Sequence, residues 1–164
     1  MPKVVFTNGC FDIIHPGHVD LLRRARALGD RLVVGINSDT SVRKIKGDGR
    51  PFMDQDSRRA VLLGLESVDE VVIFDEPTPA DVIARLMPDV LVKGGDWARG
   101  EIVGADIVTA NGGEVHSLPL VAGYSSSAIV DSIRSELAET ETADQSDHVA
   151  ASLQEHLSLF DEIA

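Results

Sequence analysis

Only one cysteine, Cys10, stands in the 164 residues, which excludes an intramolecular disulfide and any multi-cysteine metal cage. Aromatic side chains are scarce, 4% of the chain against 43% hydrophobic residues, so the core has to be built from aliphatic groups. No apolar run approaches the roughly eighteen residues that cross a bilayer, and the first residues carry no secretory pattern. The expectation is a cytoplasmic protein with no membrane partner. Positive charge is missing from the end: no Lys or Arg follows Arg134, whereas Glu136, Glu139, Glu141, Asp144, Asp147, Glu155, Asp161 and Glu162 do. A net charge of −12 argues against nucleic acid as a partner. Eight of the 27 acidic residues fall in that tail, leaving 19 against the 15 basic residues, so the body is nearly balanced and has room for a locally positive anion site.

The chain does have a regular alternation of short apolar runs and helix-patterned segments. Strands are predicted near residues 3–7, 31–37, 71–74, 90–92 and 114–118. Helices are predicted over 18–28, from a cap at Asp56 or Ser57 through Leu65, from Thr78-Pro79 to Met87, over 102–110 and over 128–137. Arg31 to Asn37 is almost continuously apolar, as a strand covered on both faces must be. The pattern predicts an α/β protein, a Rossmann-like doubly wound parallel sheet of about five strands in a three-layer α/β/α sandwich. At this length it is one domain, residues 1–137, followed over 138–164 by an acidic linker and a short amphipathic helix carrying Val149, Leu153, Leu157 and Phe160.

The stretch on which the chain is organised is Thr7-Asn8-Gly9-Cys10-Phe11-Asp12-Ile13-Ile14-His15-Pro16-Gly17-His18. It leaves a predicted strand and enters a predicted helix, and that junction is where α/β proteins bind anions, because unpaired N–H groups and the helix dipole point there. Gly9 and Gly17 remove side chains where a phosphate approaches backbone, and Pro16 stiffens the turn. His15 and His18, three apart, can face one pocket. Taken without other context, two histidines at a helix start are also ordinary solvated or capping residues.

Three further stretches can reach the same sheet edge. Val42 to Pro51 reads as a basic loop, with Arg43, Lys44, Lys46 and Arg50 interleaved with glycines; it is either a solvated surface or a flap over a polyphosphate. Lys93-Gly94-Gly95-Asp96-Trp97 leaves the fourth strand with a cation and a flat apolar face, which a core lid and a surface lysine would equally supply. Gly123-Tyr124-Ser125-Ser126-Ser127 precedes the last predicted helix, where hydroxyls cap the helix and can also donate to phosphate oxygens.

Gly9 to His18 resembles the G-x-F-D-x-x-H-x-G-H signature of the HxGH nucleotidyltransferases. Within that superfamily, Lys46-Gly47-Asp48-Gly49-Arg50-Pro51, Leu91 to Trp97 and Ala110 to Val115 are similar to the adenylyltransferase module of bacterial ADP-heptose biosynthesis, over about residues 3–137. The resemblance implies an enzyme joining ATP and D-glycero-β-D-manno-heptose 1-phosphate to give ADP-heptose and pyrophosphate by direct in-line attack. It implies His15, His18 and Lys46 as catalytic residues. The nucleotide would be held by Asn8, Gly9, Cys10, Phe11, Gly17, Arg58, Gly123, Ser125, Ser126 and Ser127 together with those three, Arg59 being a competitor for the role of Arg58. Asp12, Lys44, Lys93, Gly94, Asp96 and Trp97 would hold the acceptor. Mg²⁺ would bridge phosphate oxygens with no metal site of the protein's own, and the assembly would be a homodimer or larger. One alternative is a cytidylyltransferase acting on glycerol 3-phosphate or another small ester. Leu120 speaks against it, because those enzymes carry an arginine just after the Leu-Pro found here as Leu118-Pro119. A catalytically silent nucleotide-binding module is the alternative of another class.

Overall fold

Strand β1 (Val4–Gly9) lies at the centre of a five-stranded parallel sheet, in a computed structural model that describes residues 1–138. After it come α1 (Pro16–Arg26), β2 (Arg31–Asn37), α2 (Asp39–Lys46), α3 (Gln55–Leu63), β3 (Glu70–Phe74), α4 (Ala80–Leu86), β4 (Val90–Gly94), a 3₁₀ turn (Arg99–Glu101), α5 (Ala105–Ala110) and β5 (Glu114–Leu118). The sheet order is β3-β2-β1-β4-β5, with Thr7 of β1 registered against Val34 on one side and Val92 on the other. The chain winds outward from β1 through β2 to β3, then crosses back to place β4 on β1's other edge. The reversal between β1 and β4 is the switch point where open α/β sheets leave a crevice beyond their strand ends.

Alternation along the strands sorts the core into two layers. Val5, Leu32, Val34, Ile36, Val90 and Val92 pack with Leu21, Leu22 and Ala25 of α1 and Leu62 of α3, while Phe6, Val33 and Leu91 pack with Val82 and Ile83 of α4 and Val108 of α5. The sheet is therefore covered on both faces, which explains why β2 is buried from Leu32 to Asn37. Gly94 marks a tight approach: a Cβ there would lie 2.7 Å from Leu21 Cδ2, so α1 seats directly on the end of β4.

The helix boundaries depart from the sequence reading in instructive ways. Helix α1 begins at Pro16 with His15 as its cap, and α3 begins at Gln55 with the Asp54 carboxylate accepting the Ser57 N–H at 2.7 Å. The basic stretch read as a loop from Val42 is helical as far as Lys46, because Ser38 caps it, Val42 is buried, and Gly47 ends it at φ 88°. Lys44 and Lys46 thus sit in the last turn of α2, where cations complement the helix dipole.

Met1 to Tyr124 forms one compact unit and the chain from Ser125 begins a second. In the latter, residues 126–138 are a helix, α6, whose cap is Ser125: its Oγ accepts the Ala128 N–H at 3.0 Å. The predicted amphipathic helix at Val149 to Phe160 lies outside the described residues.

Candidate active site

The loop leaving β1 brings two imidazoles together. His15 and His18 stack with ring centroids 3.7 Å apart and 20° between planes, and the Phe11 ring is 5.1 Å from His18 on another side. Phe11 is held at φ 48°, a left-handed conformation that a bulky side chain adopts only when its surroundings impose it. Here its ring is buried in the layer beneath α1. Gly17 leaves room for the histidine, since a Cβ there would come within 3.1 Å of the His15 ring, tighter than ordinary contact.

Local hydrogen bonding sets the chemistry of the pair. As the N-cap of α1, His15 offers its Nδ1 to the His18 N–H at 3.4 Å. An accepting Nδ1 leaves the proton of the neutral ring on Nε2, so His15 presents an N–H donor outward. Burial lowers the pKa of His15 and, with the neighbouring His15 ring and the Lys46 charge, brings His18 down to about 4, against the opposing Ile13 carbonyl. Both rings are neutral at neutral pH.

Proton NMR should therefore place the His18 titration midpoint near 4 in the free protein, well under the ordinary 6.5. The sign for stability follows: between about pH 6.5 and 4 the unfolded chain binds a proton that the folded chain refuses, so stability falls as pH falls through that window. A polyanion bound beside His18 raises its pKa, so binding takes up a proton and tightens on acidification. A midpoint at 6.5 or above in the free protein would contradict this burial.

At the end of β4, Lys93 faces a cleft of about 160 Å³ lined also by Asn8, Trp97, Pro79 and Glu101. Burial holds its ammonium below the usual lysine range, opposed by the nearby Cys10 sulfur, and no carboxylate pairs with it among the described residues. The indole of Trp97 is fixed by its Nε1–H donating to the Gly94 carbonyl at 3.1 Å, while its backbone N–H donates to Ser117 Oγ at 3.0 Å. Asp96 beside it is exposed. A half-desolvated cation beside a flat apolar face can hold a phosphate and the body attached to it.

Two residues that the resemblance gives to ligands are engaged elsewhere. Arg58 is 1% exposed and donates to three oxygens: Nε to Met53 O at 3.0 Å, Nη1 to Cys10 O at 2.8 Å and Nη2 to Asp39 Oδ1 at 2.8 Å. The rival Arg59 is exposed. Asp12, 3% exposed, accepts from Arg50, Phe52 N and Met53 N. Cys10 is half-buried, with Sγ 3.9 Å from Asn37 Oδ1. Lys44 is exposed, and Gly123 turns the chain at φ 86°. Ser125 to Ser127 begin the second unit.

Tyr124 was not singled out by the sequence. Its ring lies parallel to His15, 6.3 Å away and 17° off. The signal was present, since it is the chain's only tyrosine. The hydroxyl of Thr7, within β1, is buried with no hydrogen-bond partner among the described residues. Larger surface grooves, about 580 Å³ beside Arg23 and Arg26 and about 840 Å³ around α5, hold none of the signature residues.

Comparisons with known proteins bear on the same stretch. Residues 6–131 match the family model described as cytidylyltransferase-like. The chain is 57% identical over 132 residues to the bifunctional protein HldE of Azorhizobium caulinodans, and 59% identical over 128 residues to that of Hyphomonas neptunium. Those alignments cover 80% and 78% of this chain but only 28% and 26% of the relatives, so the chain spans about a quarter of their length. Among solved structures, the lipopolysaccharide core biosynthesis protein of Thermoplasma volcanium superposes with a TM-score of 0.60 at 27% identity, over 74% of this chain and 98% of that one.

Proposed function

This chain belongs to the cytidylyltransferase-like family and is a nucleotidyltransferase, and from that premise we propose that it joins ATP and a sugar 1-phosphate, D-glycero-β-D-manno-heptose 1-phosphate, to give ADP-heptose and pyrophosphate. The observation that carries the reading is the stacked His15–His18 pair at the start of α1, in the loop that leaves the central strand β1. High identity to the bifunctional HldE proteins over most of the chain supports the choice of acceptor.

In this reading an oxygen of the sugar phosphate attacks the α-phosphorus of ATP. The bond from that phosphorus to the bridging oxygen of the β-phosphate breaks in line, and pyrophosphate leaves with the electron pair. Negative charge grows on the α-phosphate oxygens and on the leaving group, so preorganised donors are what the protein must supply. His15 Nε2–H and the His18 ring serve the α-phosphate, and Lys46 serves the β/γ end. The hydroxyls of Ser125, Ser126 and Ser127 at the start of α6 are proposed for the triphosphate, and Lys93 with Trp97 for the acceptor. Among the described residues no group of three or more His, Cys, Asp or Glu side chains is placed to hold a metal. On the resemblance, Mg²⁺ is proposed to come with the nucleotide's phosphates, and no step is assigned to it. A homo-oligomer is proposed on the resemblance alone. No helix among the described residues is long and apolar enough to cross a membrane.

The test is pyrophosphate release with Mg²⁺, offering ATP or CTP against heptose 1-phosphate or glycerol 3-phosphate in all four pairings. Release with ATP and heptose 1-phosphate alone is expected. Release with CTP and glycerol 3-phosphate would keep the chemistry and overturn the substrates, and silence in all four would favour a module that only binds nucleotide.

A further inference from the structure

Between Lys46 and the cap of α3 the chain runs through Gly47-Asp48-Gly49, with both glycines at φ 88° and open space around each. The Gly47 N–H still donates to the Arg43 carbonyl at 2.9 Å, closing α2. The next residues are gripped by one side chain. Asp12, in the middle of the signature loop, accepts the Phe52 N–H at 2.8 Å and the Met53 N–H at 3.0 Å on Oδ1, and the Arg50 Nη1–H at 3.0 Å on Oδ2. The Arg50 guanidinium also lies over the Phe52 ring, 4.6 Å from its centroid, so the far end of the loop is closed on itself as well as on Asp12. Arg58 adds a second post, bridging the Met53 and Cys10 carbonyls.

We infer that Asp12 is a positioning residue: it fastens residues 50–53 to the signature loop and thereby sets the path of the chain that leaves α2 just after Lys46. This rests on the phosphate role proposed for Lys46. With both carboxylate oxygens accepting hydrogen bonds from within the protein and 3% of the residue exposed, Asp12 is turned to the chain, whereas the resemblance implies a substrate contact. Its negative charge is compensated within the protein, so it does not repel the incoming phosphates. Lys46 is held by the last turn of α2, and fastening residues 50–53 removes freedom from the chain that follows it, so less ordering remains to be lost when a nucleotide binds.

The test is Asp12→Asn, alone and combined with Lys46→Ala. Amide exchange at Phe52 and Met53 should quicken by about tenfold, the scale of one lost charge-assisted hydrogen bond, with the β1–β2 ladder unchanged. Turnover should fall by a similar factor with a raised KM for ATP and an unchanged KM for the sugar phosphate. In the Lys46→Ala background the same substitution should cost under about twofold, because residues acting through one group are not additive. Unchanged amide exchange overturns the inference, as does a rise in KM for the sugar phosphate alone. Should Lys46→Ala itself be silent, the role proposed for Lys46 fails, and the exchange result still decides the clamp. Arg50→Gln, which leaves Asp12 its two backbone donors, guards against misfolding of the first variant: it should quicken exchange less, and no change overturns the inference.

Discussion

Turnover by a His18→Ala variant is expected to fall by about a hundredfold or more, the cost of removing one preorganised donor from a site of developing charge. The expectation is stronger for His18 than for the exposed cations because its ring is largely removed from water and fixed by the stack with His15. A donor held in place before the reaction needs no reorganisation when charge appears, whereas the exposed Lys44 has to be ordered first. Folding should survive the change, since the α1 cap belongs to His15 and the helix is seated by Leu21, Leu22 and Ala25. Steady-state pyrophosphate release with a parallel melting curve separates the two effects. Turnover near that of the unaltered protein would remove His18 from the machinery.

Arg58→Ala is expected to lower stability by about 3 kcal/mol, the low end for breaking a buried charged pair. Three oxygens lose their donor, and the carbonyls of Cys10 and Met53 are left in a void. Asp39 is 23% exposed, so its freed charge is partly met by water and the cost stays below the top of the range. Lysine at position 58 should recover only part, because an ammonium has no planar fork to reach three separated acceptors. Arg59→Ala, at an exposed position, should change stability by less than about 0.5 kcal/mol. Urea midpoints for the three variants decide it, and equal midpoints for Arg58→Ala and Arg59→Ala would contradict the buried tie.

These two residues show what could be read from the sequence and what could not. His15 and His18 were legible because their chemistry is local: a strand, a glycine-bearing loop and a helix start fall within fifteen residues, and that order fixes where the imidazoles go. The sheet was legible for the same reason, each strand being a short apolar run. The resemblance places Arg58 against the nucleotide and Asp12 against the acceptor, and sequence has no signal for the ties that each makes inside the protein. Within the protein Arg58 is tied to Cys10, 48 residues before it, and Asp12 to Phe52, 40 residues after it, and only the fold brings such pairs together. Helix α2 was hidden because it is eight residues long, half of them charged, and buries only Ser41 and Val42, so its apolar stripe is too short to reveal its period. Tyr124 escaped because its signal, one aromatic ring before three serines, is too slight without the His15 ring 6.3 Å away.

The central claim is that an adenylyl group passes from ATP to a sugar phosphate at the His15–His18 pair. Phosphorus NMR of the purified protein with Mg²⁺, ATP and heptose 1-phosphate tests it most directly. The account predicts one new diphosphate ester and one pyrophosphate for each ATP consumed, with both signals absent for His18→Ala on the same timescale. Consumption of ATP to ADP and inorganic phosphate, or no consumption while nucleotide still binds, would contradict it.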